Sequence, residues 1–180
     1  MLTTMLRSIK ELYGCNVHAG GGVIGSARDF YLDKDTWAIK FVGVTLSDDP
    51  GHELWLPAER LEGSDNEGRT LLFGEPMRLE APHRTDAEDF ESSRRILGFK
   101  LHAQDAFIGR VEDLVVSEAG WTVRYLVAVD EMGSEFLVSP WWIKRVSWQR
   151  GEVVLRYKTS KVPRSAGDDF ETHDNKPVWA

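Results

Sequence analysis

The side chains with most chemical reach in this chain are two histidines, one cysteine, a glycine run and a group of tryptophans beside basic residues. His18 and His102 lie 84 residues apart. As a pair they would suit a proton switch or a metal, but Cys, Asp or Glu at ligand spacing does not flank both, so no metal is expected. Cys15 is the only cysteine, has no base or activating group beside it, and reads as a packing residue. Gly20-Gly21-Gly22 with Gly25 lacks the Lys-Ser/Thr and the helix that a phosphate cradle needs, and reads as a hairpin turn. No Ser-His-Asp order or carboxylate pair stands out. The expectation is a protein that is not an enzyme and carries no cofactor.

The tryptophans and cations say more. Trp141, Trp142 and Trp148 crowd one stretch, more indole than one corner of a small core accommodates. The segment from Lys144 to Arg164 holds Lys144, Arg145, Arg150, Arg156, Lys158, Lys161 and Arg164 against Glu152 alone. Residues 1–91 sum to −8 and residues 92–180 to +1. A basic, tryptophan-flanked surface suits an acidic partner. Trp141, Trp142, Trp148, Lys144, Arg145, Arg150 and Arg156 are therefore the candidate partner-binding residues. The partner is expected to be another protein or the chain itself, through pairing of its two halves or a homodimer. Nucleic acid is a lesser expectation, confined to residues 144–164, because the whole chain is acidic at −7.

What must position these residues is a duplication. At an offset of 84, Ser8 falls on Ser92, Gly14 on Gly98, Ile24-Gly25 on Ile108-Gly109, Asp29 on Asp113 and Trp37 on Trp121. At 83, Pro57 falls on Pro140, which sets Ala58 and Glu59 against Trp141 and Trp142. The tails rhyme as well: Asp89-Phe90-Glu91 follows Pro82, and Asp169-Phe170-Glu171 follows Pro163. Each copy opens with a short helical turn, capped by Ser8 or Ser92 and stopped by Gly14 or Gly98. Strands follow. In the second strand, Ala27, Phe30, Leu32 and Val111, Leu114, Val116 each step by three and then by two. A strand that keeps one face inward absorbs that slip as a β-bulge. Asp29 and Asp113 sit at the slip and are expected to accept spare amides of their own repeat, a structural role. Val123, Tyr125, Val127 and Val129 are expected on one face of the third strand. Gly25, Gly109, Trp37 and Trp121 complete the structural set. The fold class is all-β: two tandem small β-barrels, each with a short N-terminal helical turn. The division is 1–81 for the first repeat, 82–91 for a linker, 92–160 for the second and 161–180 for a polar tail.

Residues 24–42 (IGSARDFYLDKDTWAIKFV), 97–129 (LGFKLHAQDAFIGRVEDLVVSEAGWTVRYLVAV) and 137–148 (LVSPWWIKRVSW) resemble the PRC-barrel family. The shared pattern is a turn, Ile-Gly, a strand with Asp four residues after the Gly, a hairpin and a further apolar strand. The family includes the cytoplasmic barrel of the photosynthetic reaction-centre H subunit and the C-terminal barrel of the ribosome maturation factor RimM. The resemblance implies a binding scaffold, hence a non-enzymatic interaction or adaptor module built on duplicated barrels. The alternatives are an RNA- or ribosome-associated assembly factor, and a soluble relative of the H subunit that docks to a membrane complex. With no long apolar run and no signal-peptide core, the expected location is the cytoplasm.

Overall fold

The computed structural model describes residues 5–65, 67–74 and 90–162. The first repeat contains β1 (Leu6–Ser8), α1 (Ile9–Leu12), β2 (Asn16–Ala19), β3 (Gly22–Asp33), β4 (Ile39–Leu46), β5 (Glu53–Pro57), β6 (Leu61–Ser64) and β7 (Thr70–Phe73). The second contains β8 (Phe90–Ser92), α2 (Ser93–Ile96), β9 (Lys100–His102), β10 (Phe107–Ser117), β11 (Thr122–Val129), β12 (Glu135–Val138), β13 (Ile143–Ser147) and β14 (Glu152–Leu155). The same order of elements recurs, strand for strand. Among the described residues two seven-stranded sheets result, with orders β5-β4-β3-β2-β7-β6 and β12-β11-β10-β9-β14-β13. Pairing is antiparallel except for the parallel contacts β2–β7 and β9–β14. Among the described residues the sheet ends are bridged by 3₁₀ turns, Ala58–Arg60 and Pro140–Trp142, and not by a ladder. No helix among them is long and apolar enough to cross a membrane. Residues 82–89 of the expected linker and 163–180 of the expected tail lie outside the described residues.

Alternation builds the two cores. Val17, Phe30, Val42, Leu56 and Leu71 are fully buried in one sheet, and Leu101, Leu114, Leu126, Val138 and Val153 in the other. Each such side chain contributes roughly 1.5–3 kcal/mol of transfer free energy. Gly25 and Gly109 stand where a neighbouring strand passes too close for a side chain. A Cβ on Gly25 would lie 2.1 Å from the Thr45 carbonyl oxygen, and one on Gly109 would lie 2.5 Å from that of Val129.

The seventh strand of each sheet comes from the other repeat. β1 pairs with β10, placing Leu6 opposite Ser117 and Ser8 opposite Val115. β8 pairs with β3, placing Phe90 opposite Asp33 and Ser92 opposite Tyr31. The expected bulges fall between Ala27 and Asp29 and between Val111 and Asp113. Asp29, 7% exposed, accepts the Phe30 amide at 2.8 Å, as expected from its own repeat. It also accepts the hydroxyls of Ser92 and of Ser93, the latter at 2.9 Å, and these belong to the other repeat. Asp113 accepts the Leu114 amide at 2.7 Å, the Ser8 hydroxyl, and the Lys10 amide at 3.3 Å. The carboxylates thus do more than fill a local bulge: each fastens the incoming strand–helix corner of its sister. Tyr13 extends one of the two networks. Its hydroxyl bonds Ser93 Oγ at 2.7 Å while the Arg94 guanidinium lies 3.8 Å above its ring. Burial pushes the Tyr13 pKa up to about 12.

A second junction lies at the hairpins after β3 and β10. Trp37 and Trp121 have φ of 61° and 47°, unusual for side chains of this size. The twist turns their carbonyls across the repeat boundary. Val123 N donates to Trp37 O at 2.9 Å and Ile39 N to Trp121 O at 2.7 Å, around an Ala38–Thr122 bridge. These reciprocal bonds, with both indoles buried, offset a backbone cost of about 1–2 kcal/mol each.

Two details of the sequence reading change. Leu56 pairs with Val42 as Val138 pairs with Leu126, so the offset beyond β4 is 82, not 83. Pro57 then matches Ser139, while Glu59 and Arg60 match Trp141 and Trp142. On β11, Val123 is buried but Tyr125, Val127 and Val129 are half-exposed on the opposite side. The register shift between Val115 and Val116 swaps the face, because the ladder passes from Tyr125 to Val123 there.

Two outcomes follow. Asp29→Ala should cost about 3 kcal/mol in urea unfolding, because it leaves buried donors unpaired. Combined with Ser92→Ala it should show a coupling of about 1 kcal/mol; strict additivity would mean the hydroxyl–carboxylate contact is not made. The Tyr13 pKa is raised in the fold from 10.0 to about 12, so its share of stability is complete below pH 10 and lost as pH rises through 12. Absorbance titration should show two late phenols, Tyr13 and Tyr31, one of which is lost in Tyr13→Phe; loss of an early-titrating phenol instead would contradict the buried network.

Candidate functional site

Beside Trp37, where the two repeats meet, lies a cleft of about 510 Å³. Repeat one supplies Trp37, Lys34 and Asp35; repeat two supplies Trp141, Trp148, Lys144, Arg145 and Arg156. Their placement follows from local structure. The 3₁₀ turn begins at Pro140, whose fixed φ suits the first helical position, and turns Trp141 outward at 42% exposure. In β13 a register shift between Ile143 and Arg145 inserts Lys144 as an extra residue, so two consecutive cations both face solvent. Arg156 donates through Nη2 to Ile143 O at 3.1 Å and through its amide to Trp142 O at 2.8 Å, which holds it on the rim. Trp148 packs edge-on against Phe99, with ring centroids 5.6 Å apart. Its carbonyl accepts from Arg95 Nη2 at 3.1 Å.

Of the seven candidate partner-binding residues, the structure brings five to this cleft: Trp141, Trp148, Lys144, Arg145 and Arg156. Trp142 turns aside, half-buried and edge-on to Tyr157 at 6.3 Å. Arg150 sits exposed in the turn before β14. Arg164 lies outside the described residues. Sequence reasoning missed Trp37 as a wall of the cleft, and Lys34 with it. The available signal was the Asp-Thr-Trp hairpin, but only the inter-repeat bridge shows where that hairpin goes.

A second cleft, of about 550 Å³, is partly related to the first by the internal duplication. Trp121 takes the place of Trp37, Glu118 that of Lys34 and Glu59 that of Trp141. Both clefts are aromatic, but where the first is basic this one carries Glu59 and Glu118 with Lys40. Its Glu118 is committed: Arg7 Nη1 lies 3.3 Å from Glu118 Oε1 and 2.9 Å from Ser64 Oγ, and Arg7 Nη2 donates to Gly68 O at 2.8 Å.

The other chemically capable residues stand apart. Cys15 is buried, its thiol against the Glu11 and Gly68 carbonyls at 3.4 and 3.5 Å, and burial pushes its pKa up. Gly20 and Gly21 have φ of 62° and 84°, the two left-handed positions of a tight hairpin turn. His18 pairs in the ladder with Val23, and His102 packs edge-on to Phe107 at 5.6 Å. Among the described residues no group of three or more His, Cys, Asp or Glu could hold a metal. On the outer face of repeat one, Tyr31 and Trp55 stack at 3.7 Å, and Glu53 accepts from the Tyr31 hydroxyl and from Trp55 Nε1. Burial and the Glu53 carboxylate raise the Tyr31 pKa. Arg28 closes that set at 3.6 Å from Glu53, so the cluster satisfies itself.

Set against models of known families and against curated proteins, the chain matches none.

The cleft's tryptophans should separate on substitution. Trp141→Ala should leave the urea midpoint within about 0.5 kcal/mol of wild type, as exposed positions do. Trp121→Ala, whose indole is buried and donates to Leu61 O at 3.2 Å, should cost about 3–5 kcal/mol. Equal losses at the two positions would remove the distinction between an exposed anchor and a core residue.

Proposed function

We propose that this chain is a non-enzymatic interaction module of two PRC-barrel-like repeats, working in the cytoplasm, whose junction cleft holds an acidic segment of a partner protein. The supporting observation is that an exposed Trp141 shares one cleft with Lys144, Arg145 and Arg156 and with a wall, Trp37, from the other repeat. Tryptophan and arginine are the residues that most often dominate binding energy. The cations orient an acidic segment and speed its arrival, and the indoles bury its apolar side chain. The PRC-barrel part of the reading is supported by Ile-Gly followed by a bulged strand with its Asp, once in each repeat. A site spanning both repeats also gives the duplication a use, since neither copy alone could form it.

A short acidic peptide centred on phenylalanine, titrated into the full-length protein, should change its tryptophan fluorescence. The double variant Arg145→Glu/Arg156→Glu should weaken that binding at least about tenfold, the scale of a lost charge-assisted pair, without lowering the melting temperature. The reading fails if the double variant binds the peptide as well as wild type. It fails equally if a single-stranded RNA binds with steep salt dependence while the peptide does not.

A further inference from the structure

The stretch Gly167 to Asp174 contains Asp168, Asp169, Glu171 and Asp174 around Phe170, with no Lys or Arg. It therefore has the acidic, aromatic character that suits the basic tryptophan cleft. Its core, Asp-Phe-Glu-Thr, nearly repeats the Asp-Phe-Glu-Ser of residues 89–92. The structure describes how Phe90 to Ser92 bind. Phe90 packs edge-on to Phe41 at 5.2 Å and lines the second cleft near Trp121. Glu91 accepts from Arg95 Nη1 at 2.6 Å, and Ser92 donates its hydroxyl to Asp29. Such a segment thus offers its ring to an aromatic of the other repeat, while its carboxylate meets a guanidinium four residues on in its own repeat.

We propose, resting on the reading of the basic cleft as a binding site, that the chain's own segment 168–171 occupies that cleft and competes with the external partner. Phe170 would enter between Trp37 and Trp141, and the carboxylates would face Lys144, Arg145 and Arg156. Chain length permits the return. Arg156, on the cleft rim, is six residues from Val162, a gap of no more than about 22 Å. The eight residues from Val162 to Phe170 span up to about 26 Å when extended. The point of departure is fixed, because Asp105 accepts from both the amide and the hydroxyl of Thr159 at 2.8 Å, and Val162 is buried. The consequence is self-competition: a partner segment must displace an internal one of the same chemistry, which lowers apparent affinity and makes it adjustable by whatever engages the tail.

The test compares the full-length protein with a full-length variant carrying Asp168→Asn, Asp169→Asn, Phe170→Ala and Glu171→Gln. Indole N–H resonances are followed by NMR, and a synthetic peptide of residues 165–176 is titrated into both. The variant should shift the Trp37 and Trp141 indole signals and bind the peptide at least fivefold more tightly than wild type. Equal peptide affinity in the two proteins, with unmoved indole signals, overturns the self-competition and leaves the cleft as a binding site. Absence of peptide binding to either protein overturns both. A dimer in wild type that becomes monomeric in the variant would put the segment on a second copy and overturn its placement on its own chain.

Discussion

A β-bulge leaves main-chain donors without ladder partners, and here one aspartate per repeat gathers them together with hydroxyls delivered by the other repeat. That arrangement governs the rest of the structure. Asp29 cannot be satisfied without Ser92 and Ser93, nor Asp113 without Ser8 and the Lys10 amide. Each repeat must therefore send its first strand and helix across to its sister. Once both strands have crossed, the hairpins of Trp37 and Trp121 meet and exchange carbonyl bonds. The clefts beside those two tryptophans exist because the hairpins meet there.

Duplication supplies a symmetric frame, and the differences between its halves carry the chemistry. At the first junction Arg7 meets Glu118; the positions corresponding to these are Glu91 and Lys34, with the signs reversed. Ser93 and Tyr13 share a hydrogen bond where the other half has Ile9 and Leu97. Glu59 and Arg60 on one 3₁₀ turn become Trp141 and Trp142 on the other. These changes leave the backbone frame alone; those at Lys34 and Glu118 and at Glu59 and Trp141 alter what lines the clefts, so one carries two glutamates and the other a group of cations. Sheet-core positions of the two repeats, by contrast, differ little in character, as Val17 and Leu101 or Phe30 and Leu114 illustrate.

Much of this frame was legible in the residues. A repeat offset, a step of three in an otherwise alternating strand and a Ser-capped turn ending in Gly are local signals, and local signals survive without coordinates. What they could not reveal was which repeat a segment joins. The bulge aspartates were read correctly as acceptors of local amides, but hydroxyls 63 to 105 residues away in sequence leave no periodic trace. The offset of 82 beyond β4 was missed because a chance Pro–Pro match outweighed strand register, which only the ladders define. Trp141 and the cations were picked out by composition. Trp37 was assigned to packing, because its second role depends on a left-handed backbone turn that an ordinary reading gives to glycine. Arg150 and Trp142 were included because they are neighbours in sequence; a turn and a rotated indole separate them from the cleft.

The claim on which all of this rests is that the two repeats are one structure, joined by exchanged strands. Native-state hydrogen exchange tests it directly at the amides of Ile39 and Val123, which bond across the repeat boundary, and of Phe30 and Leu114 beside the bulge carboxylates. The account predicts that these amides exchange only with global unfolding, with the same opening free energy as Val17 and Leu101 in the two cores. Exchange of the boundary amides through a local opening well below the global value, while both cores stay protected, would mean two independent domains in contact and would contradict it.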